Sequence, residues 1–182
     1  MTLRIGTIVW LTGLPSSGKS TLAARVADAL RVRGHEAIAV LDGDVVRAAI
    51  EPPHGYDDTG RDAFYETLAR LAALLAAQGL DVLVPATAHK REHRARARAL
   101  APGEFVEVFL DTPLERCRER DAKGLYAAAV GGAASAVPGA DAPYEVPEAP
   151  DEIVREHDRD GFTRLLSRFL GRPAPDAPDA PR

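Results

Sequence analysis

The sequence contains little of what defines several large classes of protein. Its single cysteine, Cys117, has no second thiol for a disulfide or for a cysteine-rich metal site. No apolar run approaches the length that spans a bilayer, and the net charge of −4 argues against general nucleic-acid binding. The N-terminal residues also lack a basic segment followed by a cleavable apolar region. We therefore expect a cytoplasmic protein with neither a membrane nor a nucleic-acid partner.

What the chain does contain is enough apolar sequence for one buried core. Its 182 residues are 46% hydrophobic, which favours a single α/β domain over two. Short apolar runs, typical of buried strands, alternate with segments of helical periodicity. The predicted strands are 7–12, 37–42, 80–86 and 105–111, with a short one at Ile153 and Val154, and the predicted helices include 20–33, 64–78, 90–100, one with Thr112 as N-cap, and 158–170. This order predicts a parallel sheet covered by helices on both faces, a three-layer α/β fold.

Two segments interrupt the alternation. Residues 124–150 are rich in Gly, Ala and Pro and are too long for a plain connection, which is typical of either disorder or an active-site lid. We predict a lid there. Residues 172–182 form a Pro-rich tail that we expect to be disordered. The predicted domain is therefore 1–171.

The clearest motif is GLPSSGKS at 13–20, which matches G-x-x-x-x-G-K-[ST] between a predicted strand and a predicted helix. In such a loop the backbone N–H groups face phosphates, the lysine reaches the β and γ oxygens, and the hydroxyl holds Mg²⁺. Only three of the 23 basic residues are lysines, so a functionless turn would not explain one at this point. The motif predicts ATP and Mg²⁺ as cofactors. The predicted binding residues are Gly13, Leu14, Pro15, Ser16, Ser17, Gly18, Lys19, Ser20 and Thr21.

Two aspartates follow the second predicted strand, in LDGDVVR at 41–47. At the carboxyl edge of a parallel sheet, Asp42 and Asp44 would lie beside the phosphate loop. One carboxylate can hold Mg²⁺ through water, and the other can accept a proton from an attacking hydroxyl. We assign Asp42 to the metal together with Ser20. An Asp-Gly turn that caps the next helix is the alternative for one of the two.

Four stretches resemble the adenylylsulfate (APS) kinase family: WLTGLPSSGKSTLA, LDGDVVR, FVEVFLDTPLERCRERDAKGLY and DAPYEVPEAP. They occur in the family's order between about residues 8 and 155, and KGLY with PYE-x-P is more specific than the phosphate loop. The resemblance implies a P-loop NTPase-type fold and a homodimer. It also implies that MgATP phosphorylates the ribose 3′-hydroxyl of APS, giving PAPS.

The resemblance also implies roles for single residues. By position, Asp44 is the base, Arg47 and Arg61 clamp the phosphosulfate of the acceptor, and Tyr56 stacks on its adenine. The candidate catalytic set is Lys19, Asp44 and Lys123, and the candidate substrate-binding set is Asp42, Arg47, Tyr56, Arg61, Phe64, Lys123, Gly124 and Leu125.

The chain departs from the family's pattern on the acceptor and lid side. Gly60, Phe64, Glu66 and Thr67 replace an Asp, an Asn and two Arg, Ala88 replaces a Ser, Ala127 and Ala128 replace lysines, and Val137 replaces a Phe that forms the second wall of the adenine sandwich. The loss of one stacking wall alone costs about 1–3 kcal/mol, and Glu66 adds an anion near the expected anion site. These losses leave two predictions open, a low-affinity APS kinase or a relative that phosphorylates another hydroxyl compound.

Two further alternatives concern function and the acceptor pocket. A nucleotide-binding switch without transfer chemistry is a third function class, and the retained Asp44, Arg47, Arg61 and Lys123 argue against it. After the third predicted strand, His89, Lys90 and Arg91 either line the acceptor pocket or begin a solvated helix.

Overall fold

A computed structural model describes residues 4–121, 124–130, 137–158 and 160–170. In chain order the elements are β1 (Ile8–Thr12), α1 (Lys19–Arg31), β2 (Ile38–Val40), α2 (Gly43–Ala49), α3 (Asp58–Ala77), β3 (Asp81–Pro85), α4 (Arg91–Leu100), β4 (Phe105–Asp111), α5 (Leu114–Arg120), α6 (Leu125–Val130), β5 (Glu152–Arg155) and α7 (Gly161–Leu170). The short helix α6 was not predicted from the sequence, and α2 is the helix that the Asp-Gly alternative placed after Asp42. The predicted tail at 172–182, Lys123 and part of the predicted lid lie outside the described residues.

The five strands form one parallel sheet in the order β2-β3-β1-β4-β5. The central strand β1 pairs on one side with β3, where Val9 lies opposite Leu83, and on the other with β4, where Val9 lies opposite Val106. The carboxyl ends of parallel strands meet at one edge of the sheet, where ligands of open α/β folds bind. This edge carries the segments that follow β1, β2 and β3.

Helices cover both faces of the sheet because successive side chains of β1 point to opposite sides. Val9 and Leu11 pack against α1 and α7, whereas Ile8 and Trp10 pack against α3 and α4. Trp10 is fully buried and stacks on Phe105 with ring centroids 6.2 Å apart, so it is a core residue. The predicted three-layer fold is confirmed. Among the described residues, no helix is both long enough and apolar enough to cross a membrane.

The start of α5 differs from the prediction. Thr112 was expected to cap this helix, but Pro113 occupies the N-cap position and no side chain caps it. The Thr112 hydroxyl instead donates a hydrogen bond of 3.1 Å to the backbone carbonyl of Ser17. Thr112 therefore stabilises the phosphate loop. Because its hydroxyl donates to Ser17, the same hydroxyl does not cap α5.

Candidate active site

The phosphate loop connects β1 to α1 through three residues with left-handed backbone. Gly13, Ser16 and Gly18 have φ angles of 149°, 62° and 100°. A Cβ on Gly13 would lie 2.8 Å from the carbonyl oxygen of Leu110, so only glycine fits there. Helix α1 begins after Gly18 without a side-chain cap, which leaves its positive end open to an anion.

Lys19 lies inside this loop. Its side chain is buried, and Nζ donates to the carbonyl oxygens of Gly13 at 2.9 Å and Leu14 at 2.7 Å and to Ser17 Oγ at 3.4 Å. The loop therefore holds the ammonium at its own centre, where the phosphates of a nucleotide would meet it.

A tyrosine outside the predicted site supports the loop from α6. The hydroxyl of Tyr126 donates to the Pro15 carbonyl at 3.0 Å, and burial raises its pKa, which keeps the hydroxyl protonated. Tyr126 is the last residue of the KGLY stretch, and its place in that motif is the sequence feature that could have identified it as a site residue. Of the lid residues predicted to bind substrate, Gly124 is exposed and Leu125 packs beside Tyr126.

The two aspartates after β2 have different surroundings. Asp42 Oδ2 accepts a hydrogen bond of 2.5 Å from the Ser20 hydroxyl, and Oδ1 accepts from the backbone N–H of Asp44 at 2.9 Å. Asp42 thus caps α2 and faces the phosphate loop at the same time. Asp44 is exposed in the first turn of α2.

Arg47 lies between two aromatic rings at the end of α2. Its Cζ is 3.7 Å from the ring centroid of Phe64 and 4.7 Å from that of Tyr56. Nη1 donates to the backbone carbonyls of His54 at 2.9 Å and Gly55 at 3.1 Å. Burial is the main cause that lowers the pKa of Arg47. Tyr56 is 57% exposed, whereas Phe64 is 2% exposed.

Arg61 is buried one turn into α3, and its Nε donates to the carbonyl oxygen of Tyr56 at 2.7 Å. It therefore holds the segment that carries Tyr56 against α3.

Glu66 was expected to add a negative charge near the anion site, and the structure shows a different arrangement. Its carboxylate pairs with Arg70 at 2.6 Å and with Arg96 at 2.5 Å, so the anion is matched on the helix surface instead of adding an unpaired charge to the anion site.

A cluster that was only partly predicted joins the N-terminal half of α3 to the start of α4. His93 Nε2 lies 2.7 Å and Lys90 Nζ 2.8 Å from Asp62 Oδ1, and the rings of His93 and Tyr65 are 4.5 Å apart. His89 is buried beside them, so neither His89 nor Lys90 simply begins a solvated helix. The Nδ1 atoms of both histidines are buried and have no hydrogen-bond partner within the described ranges.

Two other replaced positions belong to the framework of the site. Ala88, at a φ of 40°, is fully buried, and its carbonyl accepts a hydrogen bond from Arg94. Val137 is 4% exposed and packs with Cys117 and Tyr126. Val137 therefore contributes to a small core behind the phosphate loop.

A phosphate loop at the carboxyl edge of a parallel sheet, with a serine hydroxyl facing an aspartate, defines the class of P-loop phosphotransferases. Residues 5–155 match the family model described as adenylylsulphate kinase. The chain belongs to that family and is an ATP-dependent kinase, as its sequence predicted.

Individual relatives agree with this assignment. The chain is 39% identical over 169 residues to an adenylyl-sulfate kinase of Paraburkholderia xenovorans, which covers 91% of this chain and 93% of the relative. It is 44% identical over 145 residues to the bifunctional enzyme NodQ of Azospirillum brasilense, but that match spans only 23% of NodQ. The solved structure of the Mycobacterium tuberculosis APS kinase CysC in complex with AMPPNP and APS superposes with a TM-score of 0.83 at 40% identity, covering 93% of this chain and 98% of CysC.

Proposed function

We propose that the protein transfers the γ-phosphoryl group of ATP to the 3′-hydroxyl of adenylylsulfate, giving PAPS and ADP. The observation that carries the proposal is the arrangement at one edge of the sheet. An intact phosphate loop ends beside α2, which carries Asp44 and Arg47, and Arg61 follows in the first turns of α3. The similarity to a kinase solved with both AMPPNP and APS supports this choice of acceptor.

On the donor side, we assign the loop 13–21 to the phosphates of ATP. The backbone of the loop and the open N-terminus of α1 bind the phosphates. Lys19 exchanges its loop carbonyls for β and γ oxygens, where its charge stabilises the transferring group.

Mg²⁺ fits the oxygens at the end of the loop. The Ser20 hydroxyl and the Asp42 carboxylate already lie within hydrogen-bond distance of each other, and hard oxygens are the ligands that Mg²⁺ prefers. The described residues contain no cluster of three or more His, Cys, Asp or Glu that could hold a metal alone, so phosphate and water would complete the shell. A bound Mg²⁺ would neutralise charge on the β- and γ-phosphates.

On the acceptor side, Asp44 is the proposed base for the attacking hydroxyl, and its exposure leaves it accessible to a substrate. Arg47 and Arg61 are the proposed partners of the acceptor's anion, and the exposed ring of Tyr56 is the proposed platform for its base. Lys123, Gly124 and Leu125 are proposed to contact the substrate from the lid, and Lys123 is also a proposed catalytic residue. The homodimer and the cytoplasmic location also stay predictions.

A second function has an observation in its favour. Val137, where the family has an aromatic wall, is packed into the small core with Cys117 and Tyr126. Such a site offers one aromatic face to a base instead of two. Another small anionic compound with a hydroxyl group is therefore the alternative acceptor.

The deciding experiment measures ADP release with MgATP against adenylylsulfate, other nucleotides and hydroxylated metabolites. We expect adenylylsulfate to give the highest kcat/KM. Lys19→Ala should abolish transfer to every acceptor while the melting temperature shows that the variant is folded, and Arg33→Ala, in the exposed turn after α1, is the matched control. Full turnover by Lys19→Ala would contradict the donor site, and no ADP release with any acceptor would favour a nucleotide-binding switch.

A further inference from the structure

We propose that Phe64 and Gly60, one turn apart on α3, are positioning residues that hold the guanidinium of Arg47 in place for an oxyanion of the acceptor. The inference rests on the proposed function, in which Arg47 binds that anion. Both residues replace polar ones in the family pattern, and the contacts of Arg47 give one physical reason for both replacements.

Phe64 acts through Arg47. The Cζ atom of Arg47 lies 3.7 Å from the centroid of the Phe64 ring, which is the distance of a stacked guanidinium. Only 2% of Phe64 is exposed, so its ring has almost no surface left for a substrate. The ring of Tyr56, 4.7 Å from the same Cζ, adds a second aromatic contact. Two rings therefore restrict the orientation of one planar cation.

Gly60 acts through a backbone carbonyl. A Cβ on Gly60 would lie 2.6 Å from the carbonyl oxygen of Gly55, closer than nonbonded atoms approach. That same oxygen accepts a hydrogen bond of 3.1 Å from Nη1 of Arg47. The turn is drawn onto α3 by Asp57, whose Oδ1 accepts from the Gly60 N–H at 2.6 Å. Glycine at position 60 thus allows the turn to place an acceptor atom for Arg47.

The remaining donors of Arg47 define the ligand chemistry. Nη1 is occupied by the carbonyls of His54 and Gly55, whereas no acceptor for Nε or Nη2 lies among the described residues. Nε and Nη2 form one edge of a guanidinium, which matches two oxygens of a phosphate, sulfate or carboxylate. Arg61 contributes a second positive charge nearby, since its Nε donates to the carbonyl oxygen of Tyr56, whose ring contacts Arg47. The site is therefore built for a bidentate oxyanion.

The test compares Phe64→Leu, which keeps an apolar side chain but removes the ring face, with Phe64→Tyr, which keeps the ring. Leu68→Val is the matched control, because Leu68 is buried in the same core one turn further along α3 and has no aromatic ring for a guanidinium. The readouts are KM for adenylylsulfate and for ATP, kcat, the melting temperature, and the Kd of adenylylsulfate measured by calorimetry without turnover.

We expect Phe64→Leu to raise KM and Kd for adenylylsulfate by roughly 3- to 30-fold, the worth of a cation–π contact. KM for ATP and kcat at saturating acceptor should stay within about twofold of the wild-type values, because a factor of two corresponds to well under 1 kcal/mol. Leu68→Val should lower only the melting temperature, and Phe64→Tyr should bind as the wild type does. A Phe64→Leu variant that loses thermal stability but keeps its KM and Kd would overturn the proposal.

Gly60→Ala provides an independent variant if Phe64→Leu does not fold. Alanine is the better helix former, but its Cβ would meet the Gly55 carbonyl oxygen at 2.6 Å and Asp57 Oδ1 at 2.8 Å. A loss of acceptor affinity in Gly60→Ala would therefore come from the displaced turn at 55–57. In an Arg47→Ala background, Phe64→Leu and Gly60→Ala should have no further effect on Kd, and a full effect there would overturn the proposal. If Arg47→Ala itself leaves Kd unchanged, both the role of Arg47 and this inference are wrong. The kinase assignment is tested separately, by Lys19→Ala.

Discussion

The Ser20 hydroxyl donates a hydrogen bond of 2.5 Å to Asp42, which joins the first turn of α1 to the carboxyl end of β2. Because this carboxylate is the proposed partner of Mg²⁺, Asp42→Asn should raise the half-saturating Mg²⁺ concentration by roughly 10- to 100-fold, the usual cost of altering a group around a metal. Asparagine is also a good N-cap, so α2 should remain folded. Titration of Mg²⁺ at saturating ATP is the measurement. Asp44→Asn, which should lower kcat without moving the Mg²⁺ curve, is the control, and an unmoved curve in Asp42→Asn would contradict the metal assignment.

Arg61 combines a buried position with the proposed contact to the acceptor's anion. Arg61→Ala should cost about 2–5 kcal/mol in transition-state binding of adenylylsulfate, because the anion then lacks a buried partner. The variant also loses the hydrogen bond from Nε to the Tyr56 carbonyl. The measurement is kcat/KM for adenylylsulfate beside KM for ATP. An equal loss for both substrates would show that the whole site is disturbed and would refute a specific acceptor role.

A buried carboxylate secures the start of β3. Asp81 is fully buried and lies within hydrogen-bond distance of the Thr7 N–H at 2.7 Å, Arg4 Nη2 at 2.6 Å and His35 Nε2 at 2.8 Å. Asp81→Ala leaves these donors without their acceptor, and it should lower the free energy of unfolding by about 3–5 kcal/mol.

Urea denaturation measures this effect. Asp28→Ala is the control for Asp81→Ala, since Asp28 forms an exposed pair with Arg31 and such pairs contribute about 1 kcal/mol at most. If the two variants lose similar stability, the buried hydrogen bonds of Asp81 do not stabilise the fold as proposed.

The buried histidines predict a loss of stability in mild acid. Burial is the main cause that lowers the pKa of His89 to about 4, with His93, Arg61 and Lys90 adding positive charge and Asp58 opposing them. Between about pH 6.5 and pH 4 the unfolded chain therefore binds a proton that the folded chain does not, so the stability falls as the pH falls through this window. Burial lowers the pKa of His93 as well, which acts in the same direction.

Melting temperatures from pH 7.5 to pH 4.5 measure this dependence, because the interval brackets the window set by an ordinary histidine pKa of about 6.5. His89→Gln removes one titrating group and should flatten the decline. Parallel declines in the variant and the wild type would assign the acid sensitivity to other groups.

The predicted lid at 124–150 gives a prediction for amide exchange. Its later part is already tied to the body, since the Glu145 N–H donates to the His89 carbonyl at 2.8 Å and the Tyr144 hydroxyl lies 2.9 Å from Thr12 Oγ1. Amides from 124 to 143 should therefore gain most protection when nucleotide and acceptor are both bound, and those of 144–146 should change least. Peptides that overlap residue 143 measure the contrast. An exchange pattern that ligands leave unchanged would argue against a closing lid.

The sequence by itself determined the sheet and the donor site. A strand, the loop GLPSSGKS and a helix are contiguous in the chain, and the left-handed backbone at Gly18 depends only on local sterics. At Gly13 the neighbouring carbonyl of Leu110 adds a tertiary reason for glycine. Alternating apolar runs predicted the layers for the same reason, because the period of a strand or a helix is a local property. Asp42 lies beside Ser20, as the order of strands led us to expect, because all strands run parallel and end at one edge.

Only the tertiary structure decided how the acceptor side is arranged. Arg47, Gly55 and Phe64 belong to α2, the following turn and α3, and the stacking of Arg47 on Phe64 depends on how these segments pack. No local pattern reports a contact between segments whose path through space is set by packing, so the pattern could identify Phe64 as unusual but not say what its ring touches. The burial of Val137 and the hydrogen bond from Thr112 to Ser17 were not predictable from local patterns for the same reason. Each joins residues that are far apart in the chain and close only in the fold.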